Sequence, residues 1–444
     1  MSKLRLAIVG AGPAGIYAAD LLIKSELRDF DVSIDLFDLL PAPYGLVRYG
    51  VAPDHPRIKG IIRALYEVLD RGDIRFFGNV KYGVDITLDE LKQHYNAVIF
   101  ATGAVKDADL NIPGIDLEGS FGAAEFVNWY DAHPDFPRTW PLNAREVAVI
   151  GNGNVALDVA RVLAKLPEQM LATDIPANVY EGLKNSPVTD VHVFGRRGPA
   201  QVKFSPLELR EATHIEGVDC IVYDEDFQYD DASREAIDTN NQTRVMVNTL
   251  EGLREEPQNT GAKRRLHLHF FSSPVEVLGE NGKVNGFRIE RTKLDGKGGV
   301  VGTGEFRDFS VQAVYRAVGY FGSELPEIPY DSKHGVITNE GGRVSPGVYA
   351  TGWIKRGPVG LIGHTKSDAL ETINNLISDK ATWWQPSAPG EDAVVDLLSS
   401  KGVEFVGWPE WLKIDAHEVA LGQAEGRERI KLVERDDFMR VAKQ

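Results

Sequence analysis

Apolar residues crowd Leu4-Arg-Leu-Ala-Ile-Val and stop at Gly10. A run this dense predicts a parallel strand buried on both faces, since helices would cover each side of the sheet. From Ala14 to Lys24 the apolar positions recur at helical spacing, and Asp31-Val-Ser-Ile-Asp-Leu-Phe-Asp38 returns to strand. The same order recurs later: a strand over Arg145-Glu-Val-Ala-Val-Ile-Gly151, a helix from Val155 to Leu166, and a strand at Asp190-Val-His-Val-Phe194. Each block reads as one strand–helix–strand unit opened by a glycine turn.

Two further runs end alike. Ala97-Val-Ile-Phe-Ala-Thr-Gly103 and Gly347-Val-Tyr-Ala-Thr-Gly352 each predict a strand whose Ala-Thr-Gly lies at a sheet's carboxyl edge, where ligands bind in open α/β sheets. The second of these follows the second unit, which implies a nested arrangement. The expected fold class is α/β with two Rossmann-like dinucleotide-binding domains. The first domain occupies residues 1–103 and resumes at 320–444, and the second, 104–319, is inserted into it.

The remaining segments are less regular. Residues 225–265 are polar and weakly periodic and are expected to form long loops. Residues 266–318 read as antiparallel strands with turns such as Glu280-Asn-Gly282. The stretch Pro41 to Pro56 is too rich in Pro and Gly for a helix or strand and too apolar for a solvated linker, so a binding loop over a flat ligand is expected. Beyond Pro386 the pattern gives a helix near Ala393 to Ser400 and a charged end, with no evident chemistry.

Composition narrows the chemistry. The chain has 444 residues, enough for two or three domains, with 43% hydrophobic and 26% charged residues, as in soluble globular proteins. Its one cysteine, Cys220, excludes a disulfide framework, a redox pair of cysteines and an iron–sulfur cluster ligated within the chain. No metal-ligand spacing is present either, so no metal is expected and an organic cofactor must carry electrons. No apolar run reaches membrane-spanning length, and a strand starting at Leu4 leaves no room for a signal peptide. The expectation is a soluble, reducing compartment, most simply a bacterial cytoplasm. The net charge of −16 argues against nucleic-acid or anionic-membrane partners. The oligomeric state is left open.

The glycine turns name the ligand class. In Gly10-Ala-Gly12-Pro13-Ala14-Gly15, Gly10 permits the turn, Gly12 lets backbone approach a pyrophosphate, and Gly15 allows close helix–strand packing, with the helix N-terminus facing the anion. Gly151-Asn152-Gly153-Asn154-Val155-Ala156 is the second such fingerprint, with Ala in the third glycine position.

Charge decides which cofactor sits where. Asp38 ends the strand after the first fingerprint; a carboxylate there accepts from ribose and repels a 2′-phosphate, which favours FAD or NAD over NADP. Arg196 and Arg197 stand at the matching place after the second, where two guanidiniums can clamp a 2′-phosphate through charge-assisted hydrogen bonds of roughly 1.5–3 kcal/mol each. The order is therefore FAD first and NADPH second, and the flavin ring supplies the hydride acceptor that the side chains cannot.

Longer motifs resemble a known family. The loop Pro41-Ala-Pro-Tyr-Gly-Leu-Val-Arg-Tyr-Gly-Val-Ala-Pro-Asp-His-Pro56, the segment Phe204-Ser-Pro-Leu-Glu-Leu-Arg-Glu211, and Ala350-Thr-Gly-Trp-Ile-Lys-Arg-Gly-Pro-Val-Gly-Leu-Ile-Gly363 resemble the adrenodoxin reductase family, NADPH–ferredoxin reductases with bacterial members. The likeness runs to about Leu376. It implies a polar couple of His55 and Glu211 that assists hydride transfer or proton handling. It implies FAD contacts at Gly45 and Leu46, at Ala101, Thr102 and Gly103, and at Gly352, Trp353, Gly360, Leu361 and Ile362. Asn152, Asn154, Glu208 and Gly360 are implied to face NADP. Two departures stand out: Asp38 where the family typically has Glu, and His364 where a small hydroxylated residue is usual.

The family's partner is a ferredoxin, a small acidic iron–sulfur protein that takes electrons singly. An acidic enzyme then needs a local basic face. The resemblance singles out Arg210, and Arg57, Lys59, Arg63, Lys203 and the pair Lys355-Arg356 are further candidates. Two alternatives remain open at this point: a non-catalytic FAD/NADPH-binding sensor, and an NADPH-oxidising subunit like that of glutamate synthase.

Overall fold

The structure, a computed structural model, describes residues 3–258, 260–360 and 362–444. Two compact units divide the chain. One comprises Met1–Lys106, Asp131–Asp135 and Tyr320–Gln444; the other comprises Asp107–Tyr130 and Phe136–Gly319.

The first unit is built on a six-stranded sheet in the order Arg343–Ser345, Val348–Ala350, Ala97–Phe100, Lys3–Val9, Asp31–Phe37, Ile74–Phe77. Neighbours are parallel except the first pair. Along Lys3–Val9 the side chains alternate between two cores: Leu4, Leu6 and Ile8 join one, and Ala7 and Val9 the other. That double burial is why the strand reads as an unbroken apolar run. Helix Pro13–Lys24 covers one face with Ile16, Ala18, Ala19 and Leu22 buried.

Two expectations for this unit need correction. The loop after Pro41 contains single helical turns at Leu46–Tyr49 and Pro56–Lys59, because Leu-Val-Arg-Tyr lies between glycines and carries no helix breaker itself. The tail is longer and more integral than one helix: Glu391–Ser400, Trp408–Ala424 and Arg435–Ala442 are all helical. Trp411, Ile414, Phe438 and Val441 lie in the same buried cluster as Leu6, Tyr44 and Val47.

The second unit has its own six-stranded sheet, all parallel, in the order Ser120–Gly122, Ala313–Arg316, Glu146–Ile150, Asp190–Phe194, Arg264–His269, Val218–Val222. Residues 225–265, read from sequence as loops, instead carry helices Asp231–Thr239 and Asn241–Glu255. Side-chain caps start both: Asp230 accepts from the Ser233 N–H at 2.8 Å, and Asn240 accepts from the Gln242 N–H at 2.9 Å. Their polar composition hides the narrow stripe of Met246, Val247, Leu250 and Leu253 that the longer helix buries.

The reading of 266–318 as antiparallel also holds only in part. Arg264–His269 and Ala313–Arg316 are parallel members of the main sheet, and the antiparallel portion is Ser272–Glu280, Lys283–Leu294 and Val300–Phe309. At its first turn Asn281 and Gly282 have φ of 53° and 80°, the left-handed pair that a two-residue hairpin requires. Val277, Val284, Phe287 and Ile289 of this meander pack onto Ala148, Ile150 and Phe194. Among the described residues no helix is long and apolar enough to cross a membrane.

Candidate functional site

In the first unit the glycine turn, Asp38 and both Ala-Thr-Gly segments meet at one sheet edge. Gly10 has φ of 113°, and a Cβ there would stand 2.3 Å from the Ala101 carbonyl oxygen. A Cβ on Gly15 would fall 2.0 Å from the Gly10 carbonyl oxygen. These two glycines are demanded by the protein's own packing. Gly12 differs, because a Cβ there would meet only the Cα of Gly45, at 3.7 Å. Thr351 donates its N–H to the Phe100 carbonyl at 2.9 Å, which seats the second Ala-Thr-Gly beside the first. Gly352, at φ of 77°, has no room for a side chain, because its Cβ would lie 2.6 Å from that of Ala14.

This edge fits a dinucleotide. Helix Pro13–Lys24 starts at Gly12 with no side-chain cap, leaving first-turn N–H groups turned to the glycine gap. Among the described residues the buried Thr102 Oγ1 has no hydrogen-bond partner, which leaves it available to a ligand. Asp38 accepts from the Ala11 N–H at 2.7 Å and the Leu40 N–H at 2.9 Å. Burial pushes its carboxyl up to about 6, against the pull of those two bonds and of Arg435. Ribose hydroxyls donating to its free lone pairs would favour the ionised form.

The proline-rich loop lies directly on this edge. Tyr44 donates its N–H to the Ala11 carbonyl at 2.8 Å and has φ of 83°, a left-handed conformation unusual for a bulky residue. Gly45 follows at φ of 50° and starts the turn Leu46–Tyr49. His55 is fully buried at the start of Pro56–Lys59. In the late motif Trp353 is half-buried at the start of a short helix, and Gly360 has φ of 86°. The His364 ring lies against Gly360, 3.1 Å from where a Cβ would stand. Leu361 lies outside the described residues, as does the side chain of Ile362.

Sequence reasoning missed what holds this motif. Asp368 accepts from the Gly352 N–H at 2.6 Å and from Thr351 Oγ1 at 3.1 Å, and pairs with Lys355 at 3.1 Å. Lys355 also pairs with Glu371 at 2.6 Å and is buried. It is therefore an internal clamp and is withdrawn as a docking charge. Lys59 is likewise largely covered and sits 3.5 Å from Asp131, whereas Arg57 and Arg63 are exposed.

The second unit repeats the turn with a different wall. Gly151 would place a Cβ 2.3 Å from the Ala317 carbonyl oxygen and 3.1 Å from the Ala156 Cβ, so Ala suffices at the third position. Around Gly153 nothing lies within 4 Å of a Cβ, and helix Asn154–Ala164 starts there with Val155 in its first turn and no side-chain cap. This site too fits an anion approaching backbone N–H groups. Asn152 lies against Gly195 and accepts the Lys203 N–H at its carbonyl, while Asn154 Oδ1 accepts the Ser205 N–H at 2.8 Å. The fingerprint asparagines thus brace the wall leading into helix Pro206–Thr213.

That helix carries Glu208, Arg210 and Glu211. Glu208 is buried with its carboxylate 3.3 Å from Arg161, which also pairs with Asp158 at 2.7 Å. Arg210 and Lys203 are exposed, and Glu211 is half-buried. Arg196 and Arg197 follow the strand end with their main chain anchored: Thr292 Oγ1 donates to the Arg196 carbonyl at 2.7 Å, and the Phe271 N–H to that of Arg197 at 3.2 Å. Among the described residues no carboxylate pairs with either guanidinium, and both are at least partly exposed. They are fixed in place and electrostatically unspent.

One titratable cluster stands apart. The ring nitrogens of His192, His267 and His269 lie within 4.8 Å of one another. However, His192 stacks on His267 at 4.3 Å and 15°, so their in-plane lone pairs cannot converge on one metal ion. Four of the six ring nitrogens are also engaged: His192 Nδ1 with His269 Nε2 at 3.0 Å, and His267 with Asp190 at 2.9 Å and with the Tyr223 hydroxyl at 2.9 Å. Burial lowers all three, with His192 pushed down to about 3. The cluster is a stack of neutral imidazoles.

Comparison with known proteins agrees with this geometry. A family model described as pyridine nucleotide-disulphide oxidoreductase matches residues 4–362. The NADPH-ferredoxin reductase FprA of Mycobacterium tuberculosis is 40% identical, with 99% of each chain covered. The human mitochondrial NADPH:adrenodoxin oxidoreductase is 38% identical over 98% of this chain and 91% of that protein. A solved structure of Mycobacterium tuberculosis FprA in complex with NADPH superposes with a TM-score of 0.90 at 38% identity, both chains fully covered.

Proposed function

We infer an NADPH–ferredoxin reductase from one premise: the chain belongs to the pyridine nucleotide-disulphide oxidoreductase family, in the group that holds the FprA and adrenodoxin reductases. It is an FAD-dependent enzyme that draws hydride from NADPH and delivers electrons to a ferredoxin- or adrenodoxin-type protein. The observation that carries the cofactor order is the contrast at two equivalent strand ends: a half-buried carboxylate at Asp38 and, among the described residues, guanidiniums with no carboxylate partner at Arg196 and Arg197.

The residues then divide the work. Gly12 and the first turn of helix Pro13–Lys24 hold the FAD pyrophosphate, with Thr102 donating from its buried hydroxyl and Asp38 accepting from ribose. Arg196 and Arg197 take the 2′-phosphate of NADPH, and Gly153 admits its pyrophosphate. Gly360 gives backbone that flat rings can approach, and Trp353 excludes water beside it. Bound in the first unit, FAD supplies the acceptor for a hydride and the outlet for single electrons. His55 in the first unit and Glu211 in the second hold or move the protons that accompany the reaction. The acceptor is a small acidic iron–sulfur protein, and exposed Lys203 and Arg210 on the second unit support its docking there.

Steady-state turnover tests this reading. NADPH should drive cytochrome c reduction that rises severalfold on adding a two-iron ferredoxin, and NADH should be a poor substitute. Equal catalytic efficiency with NADH would overturn the assignment of Arg196 and Arg197.

A further inference from the structure

The tail helices reach back to the loop that lies on the glycine turn. Arg48, one helical turn beyond Gly45, is buried, and its guanidinium donates to both oxygens of Glu418 in the tail helix Trp408–Ala424, at 3.0 and 2.5 Å. Glu418 is itself fully buried and also accepts the Leu432 N–H at 2.8 Å and Arg429 at 3.3 Å. The tail grips the loop's main chain as well: Lys431 Nζ donates to the Arg48 carbonyl at 2.8 Å and to Asp131 at 3.0 Å. Trp411 packs edge-on against Tyr44 at 6.0 Å and 80°.

These contacts converge on the strained end of the loop. Tyr44 is held left-handed at φ of 83° with its N–H on Ala11, and Gly45 next to it faces Gly12. A non-glycine residue keeps such a conformation only where its surroundings over-determine it. Here the surroundings are the glycine turn at Ala11 and, from the tail, Trp411 against the Tyr44 ring.

We propose that Glu418 is a positioning residue for the flavin cofactor: through the buried Arg48 it sets the gap between Gly12 and Gly45 that the FAD pyrophosphate enters. The proposal rests on the reading that the first unit binds FAD. A bidentate guanidinium–carboxylate pair fixes direction as well as distance, so the tail defines where the loop sits and not only whether it is covered. Replacing such a pair by apolar residues restores packing but removes that orientation.

The test uses full-length protein stripped of FAD, as wild type, as Glu418→Gln and as the double variant Arg48→Met/Glu418→Leu. Melting temperature without cofactor and FAD affinity from quenching of flavin fluorescence are read on each. Glu418→Gln should lower both. The double variant should regain the wild-type melting temperature yet still bind FAD at least about tenfold more weakly, because a loosened site loses affinity without losing the fold. NADP affinity should stay unchanged in the double variant, and if Glu418→Gln does not fold, the double variant decides alone. Recovery of FAD affinity together with stability, or wild-type FAD affinity in Glu418→Gln, would overturn the proposal. A wild-type protein that binds no FAD would instead overturn the cofactor reading beneath it.

Discussion

Gly12 and Gly45 face each other across a gap that neither fills: a Cβ on Gly45 would stand 2.9 Å from the Gly12 Cα, whereas one on Gly12 would meet Gly45 at an ordinary 3.7 Å. With φ of −78°, Gly12 needs no glycine for its own backbone. Its missing side chain serves the space beyond. Gly12→Ala is therefore expected to melt within about 2 °C of wild type while FAD affinity falls about 100-fold, as a methyl enters the pyrophosphate path. Gly10→Ala, at φ of 113° and 2.3 Å from the Ala101 carbonyl, is expected instead to lose about 3 kcal/mol or more of stability by chemical denaturation.

Arg197→Ala should separate the two nicotinamide cofactors. Losing a charge-assisted contact of roughly 1.5–3 kcal/mol is expected to lower kcat/KM for NADPH by about 10- to 150-fold. The value for NADH should be almost unchanged. Steady-state kinetics with both cofactors checks this, and an equal loss would contradict the phosphate clamp.

Two basic residues singled out together should behave in opposite ways. Lys355 is buried between Asp368 and Glu371, so Lys355→Met should cost about 2 kcal/mol of stability by leaving the covered Asp368 carboxylate with only the more distant Arg356 as counter-charge. Arg210 is exposed, so Arg210→Glu should leave the melting temperature unchanged, raise the KM for ferredoxin, and flatten its salt dependence. Thermal melts and ionic-strength series distinguish them.

The imidazole stack makes stability depend on pH. An unfolded histidine takes its proton near 6.5, whereas His192 in the fold resists down to about 3. Between those values the unfolded chain binds more protons, so this contribution is complete above about 6.5 and is lost as pH falls toward 3. Asp38 and Asp107, both raised to about 6 by burial, act with the opposite sign and gain stability as pH falls. Comparison with a variant isolates the histidine: His192→Gln should make the fall in melting temperature between about pH 6.5 and 4 shallower than in wild type.

What was legible in the sequence was whatever repeats locally or ends at a glycine. The doubly buried strand Lys3–Val9, both fingerprint turns and the paired Ala-Thr-Gly edges all announce themselves within a few residues. Asp368, Glu418 and the burial of Lys355 did not, because each depends on a partner that the fold brings from elsewhere and that leaves no periodic trace. Glu418 and Arg48 are separated by 370 positions yet bond in the core. The helices in 225–265 escaped for another reason: a stripe of four buried residues is too thin to show against so polar a background. In the candidate site, charge at the strand ends was readable, but the bracing of Asn152 and Asn154 against residues 195 to 205 was not.

Anaerobic addition of NADPH to the purified flavin-loaded protein reads hydride transfer from one cofactor to the other. The flavin absorbance should bleach with NADPH, and oxidised two-iron ferredoxin added afterwards should restore it. A yellow protein that binds NADPH and keeps its colour would show that it is not an NADPH-driven reductase.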